Sequence, residues 1–193
     1  VVYHLASTVI PGTSNQNVPA ELEANIIVTA KLLDACVRQE VKKVVFISSG
    51  GAVYGKKGTC PIPEDTVTYP ISSYGIQKLA IEKLLYLYHY QENLDYRVIR
   101  LANPYGPYQR PNGKLGVVTT FVYKALTDGK LVVYGDGSVV RDFIYIEDAV
   151  RAINKIVNGN SDLRIFNLGS GRGTSVNELI SDIKESIASE LEV

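Results

Sequence analysis

The chain opens with an apolar run, residues 1–6, and passes through a polar loop, residues 10–19, into an amphipathic segment. Within that segment, residues 21–39, buried-type side chains recur every three or four positions, which is typical of one helix face. These positions are Leu22, Ile26, Thr29, Leu33 and Cys36. The opening run is typical of a buried strand, although neither a cap nor a turn precedes it. We therefore expect a strand, a loop and a helix, in a chain whose N-terminal portion is missing.

The same succession of strand and helix patterns then repeats. A β-branched run at residues 44–47 predicts a buried strand that ends in small residues, 48–51. After a Pro-rich segment, residues 60–70, the pattern predicts a long helix at residues 72–91 and a strand at residues 96–101. The order β-α-β-α-β implies parallel strands joined by right-handed crossovers. The loops that follow such strands share one edge of the sheet, where ligands bind.

The rest of the chain is more irregular and is expected to form a smaller lobe. Helices are predicted at residues 117–128, at residues 146–158 and from Ser175 onward. Strands are predicted at residues 131–134 and 164–168. The fold class that follows is α/β, with a parallel sheet and a smaller C-terminal lobe.

Composition excludes several classes of function. Lys plus Arg equal Asp plus Glu at 20 each, so neither nucleic acid nor an anionic membrane is expected as a partner. No stretch approaches the ~20 apolar residues of a membrane span, and no signal peptide precedes the first strand. The two cysteines, Cys36 and Cys60, belong to no metal-binding or redox motif, so neither a disulfide nor a metal site is expected. These features favour a cytoplasmic protein.

The first candidate for catalysis is the pair Tyr74 and Lys78, four residues apart near the start of the second predicted long helix. Side chains at this spacing project from one helix face, about one turn apart. A phenol has an ordinary pKa near ~10, so it needs neighbouring positive charge to accept a proton at neutral pH. Tyr74 could then act as a general base. Taken alone, such a pair is more often a packed ring beside a solvated charge.

Five segments, in order, resemble the signature series of the extended short-chain dehydrogenase/reductase family. They are VYHLAS at residues 2–7, FISSGGAVYG at 46–55, SYGIQK at 73–78, RLANPYGP at 100–107, and the stretch from GDG to RDFIYIED at 135–148. The resemblance covers essentially the whole chain. It is strongest to the NAD-dependent epimerases and dehydratases of nucleotide sugars, and among these to the UDP-glucose 4-epimerases.

The resemblance implies a Rossmann-like parallel sheet and an NAD-dependent reaction. Residues 1–107 would form part of an NAD-binding domain, and residues 108–193 mainly a substrate-binding lobe with segments that return to the first domain. The reaction implied is epimerisation at C4 of a UDP-hexose, a UDP-sugar substrate, through a 4-keto intermediate. Relatives form homodimers, so the helices at residues 21–39 and 72–91 are expected to form a four-helix interface.

The resemblance also assigns roles to matching positions. Those that match cofactor contacts are Leu5, Ala6, Ser7, Tyr74, Lys78 and Ala102. Those that match substrate contacts are Asn103, Val132, Val133, Tyr134 and Arg141. Lys78 would bond the nicotinamide ribose and lower the pKa of Tyr74, while Asn103 and Arg141 would hold the nucleotide diphosphate. If the resemblance is set aside, the ordinary interpretations are that Asn103 caps a turn, that Arg141 forms an ion pair with Asp142, and that Tyr134 is a core residue.

The chain departs from the family at the catalytic hydroxyl. The position that usually carries it, counted back from Tyr54, is Gly50. Ser48 and Ser49 are the hydroxyls nearby, and we assign Ser49 to catalysis beside Tyr74. The alternative is that Tyr74 acts without a serine partner.

A second departure concerns the diphosphate of NAD. Family members hold it with a Gly-rich turn after the first strand, followed by an acidic residue for the adenine ribose. The glycine cluster at residues 169–173 lacks the G-x-G-x-x-G spacing and is typical of a turn before a helix capped by Ser175 and Glu178. We therefore expect these 193 residues by themselves to bind NAD weakly and to lack epimerase activity.

Two other functions remain open at this point. A nucleotide-sugar 4,6-dehydratase needs a further acid and base after the second strand, typically Asp-Glu, where this chain has Gly51 and Ala52. A non-catalytic sugar-nucleotide-binding fragment is favoured by the lack of the Gly-rich turn. Bound NAD in the purified protein would favour an enzyme over the fragment.

Overall fold

The computed structural model describes residues 1–56, 60–111, 115–127 and 130–187. In chain order, the strands are β1 (Val2–His4), β2 (Lys43–Ser49), β3 (Asp95–Leu101), β4 (Asn103–Tyr105), β5 (Val140–Tyr145), β6 (Ile165–Leu168) and β7 (Gly173–Ser175). The helices are α1 (Val18–Leu22), α2 (Val28–Arg38), α3 (Gly50–Val53), α4 (Ser73–Glu92), α5 (Val117–Thr127), α6 (Ile146–Asn158) and α7 (Val176–Ile187). The chain divides into two compact units.

The first unit contains Val1–Leu101 and Ala152–Leu168. Its sheet has the strand order β1-β2-β3-β6, and every neighbouring pair is parallel. This arrangement confirms the predicted Rossmann-like parallel sheet. Because the strands are parallel, the carboxyl ends of β1 and β2 lie at the same edge of the sheet, which is where ligands bind in such folds.

The core of the first unit lies on both faces of this sheet. Alternate residues of a strand point to opposite faces. Val44 and Phe46 accordingly pack with Leu33 and Leu85 of helices α2 and α4. Val45 belongs instead to the cluster on the opposite face, with residues of β3 and α6. The run at residues 44–47 is apolar throughout because both faces of β2 are covered.

The helix expected at residues 21–39 is present but begins earlier. Asn17 caps α1 by accepting a hydrogen bond from the Ala20 amide at 3.3 Å, and a π-helical turn, Glu23–Ile27, connects α1 to α2. Helix α4 begins after the cap residue Ser72 and ends at Asn93, which adopts the left-handed conformation. Periodicity located both helices correctly, but it cannot reveal a π-helical turn, which changes the pattern by a single residue.

The second unit contains Ala102–Arg151 and Gly169–Val193. In its three-stranded sheet, β5 pairs with β4 in parallel and with β7 in antiparallel orientation. A separate core lies largely between α5 and α7, where Phe121, Leu179 and Ile183 are buried. The predicted helix at residues 117–128 is confirmed as far as Thr127, and Asp128 lies outside the described residues.

The strand predicted at residues 131–134 was wrong. These residues, all of them described, form no strand. Leu131 is buried in the core of the second unit and Val133 packs against it, while Val132 and Tyr134 are exposed. Two side chains of this apolar run therefore anchor an irregular segment to the core.

Composition also raised the questions of membrane spans, disulfides and metal sites. None of the helices in the described ranges has the length and hydrophobicity that crossing a bilayer requires. Cys36 and Cys60 are both free thiols, and no group of His, Cys, Asp and Glu within the described part of the chain could hold a metal ion. The assignment of NAD binding to residues 1–107 and of substrate binding to residues 108–193 stays a prediction.

Candidate active site

Tyr74 and Lys78 lie in the first two turns of α4. The N-terminus of this helix is fixed by Ser72, whose hydroxyl accepts a hydrogen bond from the Gly75 amide at 3.2 Å. A Cβ atom at Gly75 would lie 2.6 Å from the carbonyl oxygen of Ala52, so only glycine lets α4 approach α3 this closely. The close approach brings the first turn of α4 against the segment that follows β2.

The Lys78 amine is buried beside the carboxyl end of β2. Its Nζ donates a hydrogen bond to the carbonyl oxygen of Ile47 at 2.8 Å and lies 4.7 Å from the centre of the Phe46 ring. Burial lowers the pKa of Lys78 to about 8. An ammonium has three donors, so two remain after the bond to Ile47. Lys78 can therefore donate to hydroxyl groups at this edge of the sheet.

The Tyr74 phenol is half-buried on the same side of the sheet. Burial raises its pKa above the ordinary value, and a hydrogen bond from the Ser49 side chain opposes that rise. The Lys78 ammonium lies 5.6 Å from the centre of the Tyr74 ring. Without a further positive charge nearby, the phenol is protonated at neutral pH.

Ser49 influences Tyr74, and a side chain at the next residue would be tightly packed. Ser49 is the last residue of β2, and its side chain lowers the pKa of the Tyr74 phenol as described above. A Cβ atom at Gly50 would lie 3.1 Å from the carbonyl oxygen of Arg100, closer than side chains normally pack. Ser49 is therefore placed to serve as the hydroxyl that the family motif puts one residue later. Its role in catalysis stays a prediction.

The predicted cofactor residues that follow β1 meet Tyr74 and Lys78 only in part. Ala6 and Ser7 line a cavity of about 10 Å³ together with Tyr74 and Lys78. This volume is the size of a single water molecule. Leu5 is exposed and is not part of the cavity lining. Sequence reasoning missed the remaining lining residues, which are Asn25, Gln77 and Ile81.

A buried ion pair between α4 and β3 also supports the carboxyl end of β2. Glu82 of α4 and Arg100 of β3 are both 3% exposed, and Arg100 Nη2 donates to Glu82 Oε2 at 2.7 Å. The Ser48 hydroxyl donates to Glu82 Oε1 at 2.5 Å, and Arg100 Nη1 donates to the Tyr54 hydroxyl at 2.7 Å. Since Ser48 directly precedes Ser49, this network fixes the backbone that presents the Ser49 hydroxyl.

The predicted substrate residues lie in the second unit. Their contacts differ from the turn cap at Asn103 and the Arg141–Asp142 ion pair that the residues suggest without the family. Asn103 Nδ2 donates to the backbone oxygen of Asp142 at 2.9 Å, which connects β4 to β5 and does not cap a turn. Arg141 is exposed and donates to the backbone oxygen of Val140 at 2.8 Å. The Asp142 carboxylate accepts hydrogen bonds from Ser170 and Gly171 at 2.7–2.9 Å, so pairing with Arg141 was a wrong expectation.

The remaining predicted positions of the second unit are described by their exposure and by one helix cap. Tyr134 is 91% exposed, so the expectation of a core tyrosine was wrong. Val132 is exposed beside it, and Ala102 begins the second unit. The predicted capping box is confirmed, since the Ser175 amide donates to Glu178 at 2.6 Å and the Glu178 amide donates to Ser175 at 3.1 Å.

The second unit also contains a larger cavity that sequence reasoning did not locate. Its volume is about 620 Å³, within the range of small-molecule sites. Tyr105, Phe143 and Arg172 contribute to its lining, whereas Asn103 and Arg141 do not. No spacing rule connects these residues along the sequence, because they come from two strands and the turn between β6 and β7.

Comparison with known proteins identifies the relatives of this chain. Residues 1–169 match the model of the NAD-dependent epimerase/dehydratase family. The UDP-glucose 4-epimerase of Mycolicibacterium smegmatis is 35% identical over 187 residues, which are 97% of this chain and 60% of that protein.

Two solved structures show the same likeness. The UDP-glucose 4-epimerase of Thermotoga maritima, solved with UDP-glucose, is 38% identical with a TM-score of 0.93, and the match covers 99% of this chain and 62% of that one. The UDP-glucose 4-epimerase of Thermus thermophilus in complex with NAD is 32% identical with a TM-score of 0.89, covering 100% and 63% respectively. This chain thus spans about three fifths of the length of its relatives. It belongs to the NAD-dependent epimerase/dehydratase family.

Proposed function

We propose that the protein that contains this chain uses NAD to epimerise C4 of a UDP-hexose through a 4-keto intermediate. The observation that carries this proposal is the position of the Lys78 ammonium, 5.6 Å from the centre of the half-buried Tyr74 ring and bonded to Ile47 near the end of β2, the strand that ends in Ser49. A general acid/base, a hydroxyl and a cation are the groups needed to remove a proton from a sugar hydroxyl and to return it.

The residues present fit the nicotinamide half of NAD. Lys78 keeps two donors free for ribose hydroxyls after its bond to Ile47, at the carboxyl edge of a parallel sheet. Ala6 and Ser7, from the segment after β1, would line the cofactor, as would Leu5 and Ala102. NAD, when bound, accepts a hydride from the substrate and gives it back.

In this proposal Tyr74 is the acid/base group. Its oxygen takes the proton of the C4 hydroxyl while the C4–H bond breaks, and returns the proton when C4 is reduced from its opposite face. The positive charge of the bound nicotinamide, added to Lys78, would lower the pKa of Tyr74 from the raised value that burial imposes. Ser49 would hold the substrate oxygen and stabilise the phenolate, in line with its lowering of the Tyr74 pKa.

The substrate roles proposed for the second unit follow the family motif. Asn103 and Arg141 would bind the nucleotide diphosphate, and Arg141 is suited to phosphate because its guanidinium is exposed and planar. The positions proposed to meet the uracil are Val132, Val133 and Tyr134. The exposure of Tyr134, 91%, leaves its ring free to stack on a base.

A labelled substrate tests the reaction against 4,6-dehydration. We expect UDP-glucose deuterated at C4 to give UDP-galactose that keeps its deuterium at C4, since the same carbon is oxidised and reduced. A dehydratase would move the deuterium to C6 and release a 4-keto-6-deoxy sugar. The proposal favours epimerisation because Gly51 and Ala52 carry no acid or base. Bound NAD without turnover of any UDP-sugar would indicate a non-catalytic binding protein.

Two further properties belong to the same proposal. We expect a homodimer, because Ile76, Leu87 and Tyr90 are exposed on one face of α4 and Val28 is exposed on α2. A cytoplasmic location is supported by Cys36 and Cys60, which are free thiols as in proteins of reducing compartments.

A further inference from the structure

The two residues that precede the proposed catalytic pair are bound by one buried carboxylate. Ser73 directly precedes Tyr74, and Gln77 directly precedes Lys78, in the first two turns of α4. The Ser73 hydroxyl donates to Glu21 Oε2 at 2.6 Å, and Gln77 Nε2 donates to the same oxygen at 3.3 Å. Gln77 Nε2 also donates to Ser73 Oγ at 2.8 Å. Ser73, Gln77 and Glu21 are 4%, 2% and 7% exposed, so water does not compete for these bonds.

The carboxylate is itself fixed by the loop before α1. Glu21 accepts weaker hydrogen bonds from the backbone amides of Asn15, at 3.5 Å, and Asn17, at 3.4 Å. The Asn15 side chain in turn accepts a bond from the Ser73 amide at 2.7 Å. The Ser73 hydroxyl, and to a lesser extent the backbone amides, hold the pKa of Glu21 below its ordinary value. The group is therefore ionised at neutral pH.

This network extends to the small cavity beside Tyr74. Asn25 Nδ2 donates to Gln77 Oε1 at 2.8 Å and to the backbone oxygen of Glu21 at 2.9 Å. Asn25 and Gln77 both line the cavity of about 10 Å³ that Tyr74 and Lys78 share. A shift of Gln77 would therefore move one wall of that cavity.

We propose that Glu21 is a positioning residue for Tyr74 and Lys78, acting through Ser73 and Gln77. Adjacent residues of a helix are about 100° apart and rotate together. Because Glu21 holds Ser73 and Gln77 to α1, it sets the rotation of the first turns of α4 and hence the direction of the Tyr74 hydroxyl and the Lys78 amine. Proton transfer requires the phenol within hydrogen-bond distance of the sugar hydroxyl, so a small rotation lowers the rate of the chemical step. As a statement about turnover, this inference rests on the proposed epimerase function.

The kinetic test uses the protein that contains this chain, the one to which the proposed function applies. It substitutes Glu21→Gln and compares it with Glu23→Gln, an exposed carboxylate two residues along. For Glu21→Gln we expect kcat to fall at least tenfold while KM for the UDP-sugar changes less than twofold; Glu23→Gln should match wild type. Ser73→Ala should lower kcat similarly. The double variant should be no slower than the worse single variant, because both substitutions break one contact. Wild-type kcat in Glu21→Gln would overturn the proposal.

A second measurement does not depend on turnover. In protein labelled with ring-¹³C tyrosine, the Tyr74 signal is identified by its loss in Tyr74→Phe. Glu21→Gln should shift the Tyr74 signal and the pH at which it titrates, and should leave the signal of the exposed Tyr86 unchanged. An unshifted Tyr74 signal would reject the positioning role, whereas an inactive wild-type protein would reject the proposed function alone. If Glu21→Gln does not fold, Ser73→Ala serves for both measurements with the same expected results.

Discussion

The Lys78 amine lies 5.6 Å from the centre of the Tyr74 ring and donates its hydrogen bond to Ile47, not to the phenol. The two residues are therefore neighbours without a direct bond between them. Lys78 can act on Tyr74 through its charge, and two of its three donors remain for other hydrogen bonds. A conservative substitution of Tyr74 or Lys78 should separate the effect of the Lys78 charge on the phenol from the hydrogen bonds that Lys78 donates.

In the protein that contains this chain, replacing Tyr74 by Phe should abolish epimerisation. The substitution keeps the packed ring and removes only the group that accepts the proton, so kcat should fall by at least about a hundredfold. UDP-sugar interconversion measured by chromatography checks this. Tyr90→Phe is the matched control, because Tyr90 lies in the same helix and is 79% exposed; its kcat should not change. Near wild-type turnover in Tyr74→Phe would mean that another group is the base.

The buried Lys78 should make stability depend on pH in the alkaline range. Burial lowers its pKa to about 8 from 10.5, so between these values the unfolded chain keeps a proton that the folded chain has lost. The free energy of unfolding therefore rises with pH across this window, by about 2 kcal/mol between pH 7 and 10. Lys78 also faces His4, whose pKa is lowered by burial and by Lys78 itself, so His4 is neutral throughout.

Urea denaturation of wild type and Lys78→Met at several pH values measures this contribution. The difference between the two proteins should change by about 2 kcal/mol from pH 7 to 10, with wild type gaining stability relative to the variant. Lys83→Met, at an exposed position of the same helix, is the control and should show no such trend. Parallel stability curves for wild type and Lys78→Met would contradict a buried, desolvated ammonium.

Local patterns predicted the parallel sheet and the helices α2 and α4, because these depend on periodicity. They also placed Tyr74 and Lys78 on one helix, because the two residues are close in sequence. The Ser175–Glu178 capping box was predictable for the same reason, since its two residues are three apart. Residues 131–134 were misread because a short apolar run does not say whether a neighbouring strand exists.

The supporting contacts of the site could not be predicted from sequence. Glu21 meets Ser73 across 52 residues, and Ser48 meets Glu82 across 34. Such pairs form only when helix and sheet are packed, and no spacing rule connects them. The close approach of the Arg100 backbone to Gly50 likewise could not be read from the sequence, and the assignment of Ser49 stays a prediction.

The Ser49 hydroxyl should lower the pKa of the Tyr74 phenol. Its hydrogen bond lowers a pKa that burial raises, so Ser49→Ala should raise that pKa and move the base-dependent limb of the kcat profile to higher pH. We expect kcat at neutral pH to fall about tenfold or more, in the range typical of acid–base support. A pH–rate profile checks the shift. An unchanged profile would favour Tyr74 acting without a serine partner.

A charge on the exposed face of α4 should dissociate the expected homodimer. Leu87 is 42% exposed and lies on the same face as Ile76 and Tyr90, so Leu87→Glu would place a carboxylate in the interface. Sedimentation velocity should then show a monomer where wild type shows a dimer. Leu163→Glu, a charge at an exposed leucine outside the helices, should leave the dimer intact. A monomeric wild-type protein would contradict the expectation.

The Glu82–Arg100 pair should matter far more for stability than any exposed ion pair of the chain. Both side chains are 3% exposed or less, and Arg100 donates through Nε and Nη2 to the two Glu82 oxygens. Glu82→Leu would leave the Arg100 charge buried without its partner, which costs about 3–5 kcal/mol. The Ser48 hydroxyl would also lose its acceptor, which should loosen the end of β2.

Denaturation midpoints of three variants measure this contribution. Glu82→Leu should lower the free energy of unfolding by about 3–5 kcal/mol, and Glu82→Leu combined with Arg100→Leu by clearly less, because the double variant leaves no buried charge. The control is Glu147→Ala, which breaks an exposed pair with Arg151 and should cost under about 1 kcal/mol. If the double variant were as unstable as Glu82→Leu, the cost would come from lost packing. The buried charge of Arg100 would then not be its source.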